Sequence, residues 1–313
     1  MEYEIRLSGA EEDKGAIEFS RLTGLANGVK NIARGALQIR LNGFSRYSRK
    51  STSIKMKDAL KINLIGLKEN DSTVLLVECN PFSESLQGIQ GEVFNPSLLT
   101  TLPALTPMSL FMEAFREALS ANSSDGTYEW LDRPLLTDLK NFRRIFLNKE
   151  EEIGFSNRGS VPELKLHQSD FERINVLEEL TPESKEIMIA GRLDELKFIG
   201  YRVRLETSNG PVNGVVKDSM KHEEVSSFWG KHVTVIGRGH YKPNGKLSFI
   251  EISRIAESSS RDALVFRAMK AQTIEQQIES QLKAGQNYNR LNELVGQWPG
   301  DEPLDKLLFQ LSE

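Results

Sequence analysis

The sequence predicts an α+β protein: a small N-terminal α+β unit with appended helices, a five-stranded β-barrel, and a helical C-terminal arm. Three observations predict it. A strand of period two near the N-terminus is followed by a long helix of period 3.6. Short β runs between residues 184 and 256 are punctuated by Asn-Gly turns. Beyond Ser258 the composition shifts to Ser, Glu and Gln before two short apolar stripes. A chain of 313 residues exceeds the size of about 100–200 residues usual for one domain. The predicted divisions are 1–160, 161–257 and 258–313.

In the first division, Tyr3, Ile5 and Leu7 alternate with polar residues, the pattern of a half-buried strand. Ile17, Leu22, Leu25, Val29, Ile32, Ala36 and Ile39 then recur every three or four residues, which is one face of a helix. Leu60–Leu67 and Thr73–Val77 flank the polar turn Glu69-Asn70-Asp71-Ser72 and predict a hairpin. From Pro81 to about Ser160 strand signals fade among Pro81, Pro96, Pro103 and Pro107, and helices are predicted over Met108–Ala121 and Leu135–Lys149. The acidic run Glu150-Glu151-Glu152 reads as a solvated face at the end of the second.

In the second division, strands are predicted at Glu186–Gly191, Tyr201–Thr207, Val212–Lys217, His232–Gly239 and Leu247–Ile255, with a short helix over Lys221–Trp229. Asn209-Gly210 and Asn244-Gly245 are hairpin turns, because Asn and Gly tolerate the positive φ such turns require. Five strands with a helix between the third and fourth resemble an OB-type barrel, with an SH3-like barrel as the alternative. The aromatics Phe198, Tyr201, Phe228, Trp229, Tyr241 and Phe249 are expected mainly in its core, while Arg202, Arg204, Arg238, His240 and Lys242 are expected to line one outer face.

Composition narrows the function. Hydrophobic content of 39% and charged content of 27% suit a globular core, and a net charge of −4 selects no partner by itself. The single cysteine, Cys79, excludes an internal disulfide framework and a Cys-based zinc site, and its apolar neighbours predict a buried thiol. The N-terminus lacks the layout of a signal peptide, and no window approaches the roughly 18 apolar residues of a membrane span. A cytoplasmic protein with no membrane contact is expected. The four histidines show no metal-ligand spacing, Gly237-Arg238-Gly239 opens no dinucleotide-binding helix, and GxSxG, Walker A and zinc motifs are missing from the sequence. No catalytic residue, metal or cofactor is therefore predicted.

Two segments point to binding. From Phe19 to Lys57 there is no Asp or Glu, while Arg21, Lys30, Arg34, Arg40, Arg46, Arg49, Lys50, Lys55 and Lys57 accumulate around Phe44 and Tyr47. Cations neutralise phosphates and an exposed aromatic can stack on a base. This makes Arg40, Arg46, Tyr47, Arg49, Lys50 and Lys55 candidate contacts to DNA or RNA.

The tail is the other. Leu291, Leu294, Val295 and Trp298 form one amphipathic stripe, Pro299-Gly300-Asp301-Glu302-Pro303 interrupts it, and Leu304, Leu307, Leu308 and Leu311 form a second. Each piece is shorter than the about 12–15 residues at which isolated helices become marginally stable. The run from Leu294 to Leu308 resembles the C-terminal tail with which antitoxins neutralise PIN-domain ribonuclease toxins. That resemblance implies a partner whose metal-binding carboxylates sit in a cleft that the tail covers, with Arg290 and Lys306 as the available cations. The leading expectation is an antitoxin or immunity-type protein. The alternative is a nucleic-acid-binding protein that uses the basic segment and the barrel, its tail serving self-association into a homo-oligomer.

Overall fold

The computed structural model describes residues 1–10, 14–45, 54–69, 72–86, 102–120, 128–157, 163–197, 202–217, 220, 222–259, 262, 266 and 271–283. They fall into two units, Met1–Ala271 and Gln272–Glu313.

The first unit begins with a mixed layer. Strands β1 (Glu2–Ser8), β2 (Ile62–Glu69), β3 (Thr73–Cys79), β4 (Glu152–Asn157) and β5 (Leu164–His167) form a sheet ordered β2-β3-β1-β4-β5, with every neighbouring pair antiparallel. Tyr3, Ile5 and Leu7 of the central strand are buried, as their alternation requires. The sheet shares one core with α1 (Phe19–Asn42), the short α2 (Ile54–Ala59) and α3 (Phe82–Ser85), α4 (Pro107–Ser120), α5 (Arg133–Asn141) and α6 (Asp170–Leu180). At its centre Phe111 meets Phe115, Phe142 and Phe155 with ring centroids 4.8–5.3 Å apart.

Local chemistry sets the helix ends. Gly43, at φ 81°, closes α1 by donating its N–H to the carbonyl of Ile39 at 2.7 Å. A residue in the left-handed region costs glycine nothing, which is why it stops helices so often. Helix α4 starts with a reciprocal pair: Thr106 N–H donates to Ser109 Oγ at 2.8 Å and Ser109 N–H to Thr106 Oγ1 at 3.1 Å. Tyr3 Oη meets Thr106 Oγ1 at 2.8 Å and ties the same cap to β1. Asp132 caps α5 and also accepts from the N–H and hydroxyl of Ser45, fastening the end of α1 to the start of α5.

Three departures from the sequence reading have physical reasons. Strands β4 and β5 are six and four residues long, too short for alternation to stand out. Because β5 pairs with β4 and α6 buries Phe171, Ile174 and Leu177 in the first core, the division at residue 160 falls inside this layer. The helix expected to run to Lys149 ends as an α-helix at Asn141 and continues as a 3₁₀ turn over Phe142–Ile145. Cys79 is buried as expected, and burial pushes its thiol pKa up.

The second layer is a closed five-stranded barrel of β6 (Lys185–Lys197), β7 (Arg202–Thr207), β8 (Gly210–Val216), β9 (His232–Tyr241) and β10 (Leu247–Glu257). A short helix, α7 (His222–Ser226), precedes β9. The strand order around the barrel is β10-β8-β7-β6-β9, and β8 with β10 is the parallel pair. Gly210 and Gly245 take φ of 103° and 74° at the two Asn-Gly turns. Ile189, Leu193, Val203, Leu205, Val233, Val235, Ile250 and Ile252 fill the interior. Two described residues beyond the last strand bond to the barrel: Ala190 N–H donates to Phe266 O at 2.8 Å, and buried Ala271 N–H donates to Gly245 O at 2.9 Å. The division placed at Ser258 therefore moves to Ala271.

In the second unit, the described helix is α8 (Ile274–Lys283). Residues 271–273 just before it are not helical, and most of the earlier part of the helix expected from Asp262 lies outside the described residues. Among the described residues, no helix is long and apolar enough to cross a membrane.

Candidate functional site

The candidate tail contacts Arg290, Leu291, Leu294, Val295, Trp298, Leu304, Lys306, Leu307, Leu308 and Leu311 lie outside the described residues, as do Arg46, Tyr47, Arg49 and Lys50. Lys55 lies in α2, with its side chain likewise outside them. The described part of the basic segment rearranges the charge inventory considerably.

Arg40 is 5% exposed. Its guanidinium donates to Glu113 Oε2 at 2.8 Å and to Ala36 O at 3.2 Å, and lies 5.0 Å from the centroid of the Trp130 ring. Burial draws its pKa down, and the Glu113 carboxylate opposes that shift. A guanidinium so enclosed is a packing element, and Arg40 is corrected from the set of nucleic-acid contacts. Arg21 follows the same pattern, its side chain 7% exposed and paired with Glu151. Glu151 is fully buried, which overturns the reading of its run as a solvated face: it also accepts the N–H of Leu147 at 2.7 Å. Lys30, Arg34 and Lys57 remain exposed.

The outer face of the barrel is covered as well. Phe44, just past the end of α1, forms a separate buried cluster with Val215 and Phe249. Its ring stacks on Phe249 at 6.0 Å and 4°, and lies 3.8 Å from the ring of His240. Ser248 Oγ donates to Gly43 O at 3.2 Å, and the buried Arg202 donates to Asn42 Oδ1. Arg204 pairs with Glu206 on its own strand. The expected basic groove of Arg202, Arg204, Arg238, His240 and Lys242 is thus not formed as such, because two of its members are sealed beneath the end of α1. Among the barrel aromatics Tyr241 is buried in the barrel core as expected, while Phe249 is buried outside that core against Phe44. Trp229 is 67% exposed, and Phe198 and Tyr201 lie outside the described residues.

His240 is the most perturbed group of this joint. It is 5% exposed, and its Nδ1 lies 2.7 Å from Ser184 Oγ. Its Nε2 is buried without a hydrogen bond, the nearest carboxylate oxygen, on Glu251, being 3.8 Å away. Burial, with Arg238 nearby, lowers its pKa from 6.5 to about 4. The unfolded chain therefore binds a proton that the folded chain refuses. Stability from this site is full above about pH 6.5 and is lost as pH falls toward about 4, by on the order of 3 kcal/mol. Replacing His240 by Phe is expected to flatten that part of the profile, as read by urea midpoints at pH 7, 5 and 4. Parallel profiles for the two proteins would contradict this assignment.

Among the described residues, two open cavities lie along α1: one of about 520 Å³ against the turn after α5, lined largely by polar residues, and a more apolar one on the sheet side. The latter, a groove of about 360 Å³, runs between the first half of α1 and the β2 edge of the sheet. Leu22, Leu25, Ala26 and Val29 form one wall, and Ile62, Leu64, Leu75 and Val77 form the floor. Its charged lining residues are Lys30, Lys57 and Lys61, all exposed, and among the described residues no carboxylate lines it. The sequence reading notes Lys30 and Lys57 as part of a basic run but misses the groove. Its available signal is the apolar run Leu64, Ile65 and Leu67 on a strand that lies at the sheet edge, each about half exposed.

On helix α8, Ile274, Ile278 and Leu282 recur every four residues and are 72%, 51% and 56% exposed. Among the described residues no group of three or more His, Cys, Asp and Glu side chains could hold a metal ion. The sequence matches no protein-family model and no curated protein.

Proposed function

We propose that this chain is a protein-binding protein that captures its partner with the C-terminal arm, in the manner of antitoxins that hold PIN-domain ribonucleases. The observation that carries the reading is the exposed stripe Ile274–Ile278–Leu282 on α8. An amphipathic helix with its apolar face in water suits the helix-in-groove mode of recognition, and its sequence leads toward the two apolar stripes of the tail. Trp298 is the anchor of that arm, because Trp combines a large apolar area with few rotatable bonds. Arg290 or Lys306 would meet the metal-binding carboxylates of the ribonuclease cleft.

The alternative, a nucleic-acid grip, draws less support. Arg21 is spent on the buried Glu151 and the buried Arg40 on Glu113, and Arg202 and His240 are covered. We assign the barrel to the OB type. The support is its order, in which the first three strands are followed around by the fifth and fourth, together with the parallel third–fifth pair and the helix before the fourth strand. OB barrels bind oligonucleotides on the face of their second and third strands. Here Arg202 and Val215 of those strands lie beneath the end of α1, which favours a scaffolding role for the barrel.

The partner recovered from the native host is expected to be a metal-dependent ribonuclease that the full-length protein inhibits. Trp298→Ala should weaken inhibition by ~2–4 kcal/mol. A recovered partner without ribonuclease activity, or inhibition untouched by Trp298→Ala, would overturn the reading.

A further inference from the structure

The groove between α1 and the sheet edge suits a ligand of its own, distinct from anything the arm holds. We propose that it binds a free long-chain carboxylate, with the acyl chain on the aliphatic floor and the carboxylate at the lysine rim.

Shape argues for a slender chain. Ile5, Val77 and Met108 underlie the groove and are 4%, 5% and 0% exposed, so the hydrophobic core closes it from below and its accessible apolar lining is Leu22, Ala26, Ile62 and Leu64. An α-helix with side chains is about 10–12 Å across and would reach that lining with single side chains only. Size agrees: 360 Å³ falls within the roughly 300–1,000 Å³ of small-molecule sites.

Charge then selects the head group. Lys30, Lys57 and Lys61 are exposed at the groove and no described carboxylate opposes them. Lysine stems lie along apolar surface while their ammonium groups stay in water. A ligand carboxylate would be met at the water boundary and spared the desolvation of a buried ion.

The register extends the floor. Leu64 lies opposite Val77 and Leu67 opposite Leu75, so both leucines share the face of those buried residues, yet each is 50% exposed. An apolar strand edge left in this state invites aggregation, and a bound acyl chain would cover it.

The test is calorimetric titration of the full-length protein with monomeric laurate, beside dodecyltrimethylammonium, which has the same chain length and a positive head. Saturable one-to-one laurate binding is expected, with the cation bound roughly tenfold more weakly. The double reversal Lys57→Glu with Lys61→Glu, at two exposed sites, should weaken laurate by roughly tenfold and improve the cation. Ala26→Trp, on the exposed side of the wall, should block both ligands while leaving the melting temperature unchanged. Absence of saturable binding, equal affinity for the two head groups, or laurate binding indifferent to Ala26→Trp would each overturn the proposal. So would binding confined to anionic vesicles, which would mark a membrane contact.

Discussion

Replacing Glu151 by alanine is expected to destabilise the protein by about 3–5 kcal/mol. Glu151 is fully buried and holds two groups at once: the guanidinium of Arg21, itself 7% exposed, and the N–H of Leu147. Removing it strands a buried cation and an unsatisfied donor together. The cost of a broken buried pair comes mainly from the charge left behind, so removing both partners should cost less than removing one. Arg21 also donates from Nε to Ile145 O at 3.1 Å, which ties α1 to the turn after α5. Urea unfolding of Glu151→Ala, and of Glu151→Leu combined with Arg21→Met, measures both effects. A single-variant loss below about 1 kcal/mol, the scale of a screened surface pair, would show that solvent reaches the site.

The second large effect is expected at the joint between the mixed layer and the barrel. Phe249→Ala should cost about 3–5 kcal/mol, the usual range for deleting a core aromatic. Phe249 is fully buried although it points away from the barrel interior; what buries it is Phe44, with Val215 alongside. Phe44→Ala should therefore couple to it, by about 0.5–1.5 kcal/mol beyond additivity, as for a directly packed aromatic pair. A double-mutant cycle followed by urea unfolding reads the coupling. Strict additivity would mean that the two rings do not stabilise each other.

The joint also shows where sequence reasoning stops. The barrel strands are legible because their alternation is bounded by Asn-Gly turns, both local signals, and α1 is legible from its 3.6-residue period. Phe44 and Phe249 are 205 positions apart, and no periodicity in either segment announces that one ring will cover the other. The same holds for charge. Arg40 sits in a run rich in cations, and only the distant Glu113 and Trp130 turn it from a phosphate-seeking side chain into a core element. Glu151 looks like one of three solvated acids until Arg21 is placed against it. Strands β4 and β5 escape notice because six and four residues carry too few alternations, and Gly154 interrupts the first. The groove is half legible: its lysines stand in the basic run, but their meeting with the underside of an edge strand is a product of topology.

The proposal that the arm captures a partner makes the unit Met1–Ala271 dispensable for capture itself. The most direct measurement is the affinity of the recovered partner for full-length protein, for Ile278→Asp, and for a chain ending at Ala271. Full-length protein should bind tightly. Ile278→Asp, which puts a charge on the exposed stripe of α8, should bind more weakly, and the shortened chain should show no detectable binding. Undiminished affinity in the chain ending at Ala271 would contradict the account and return partner recognition to the barrel and the mixed layer.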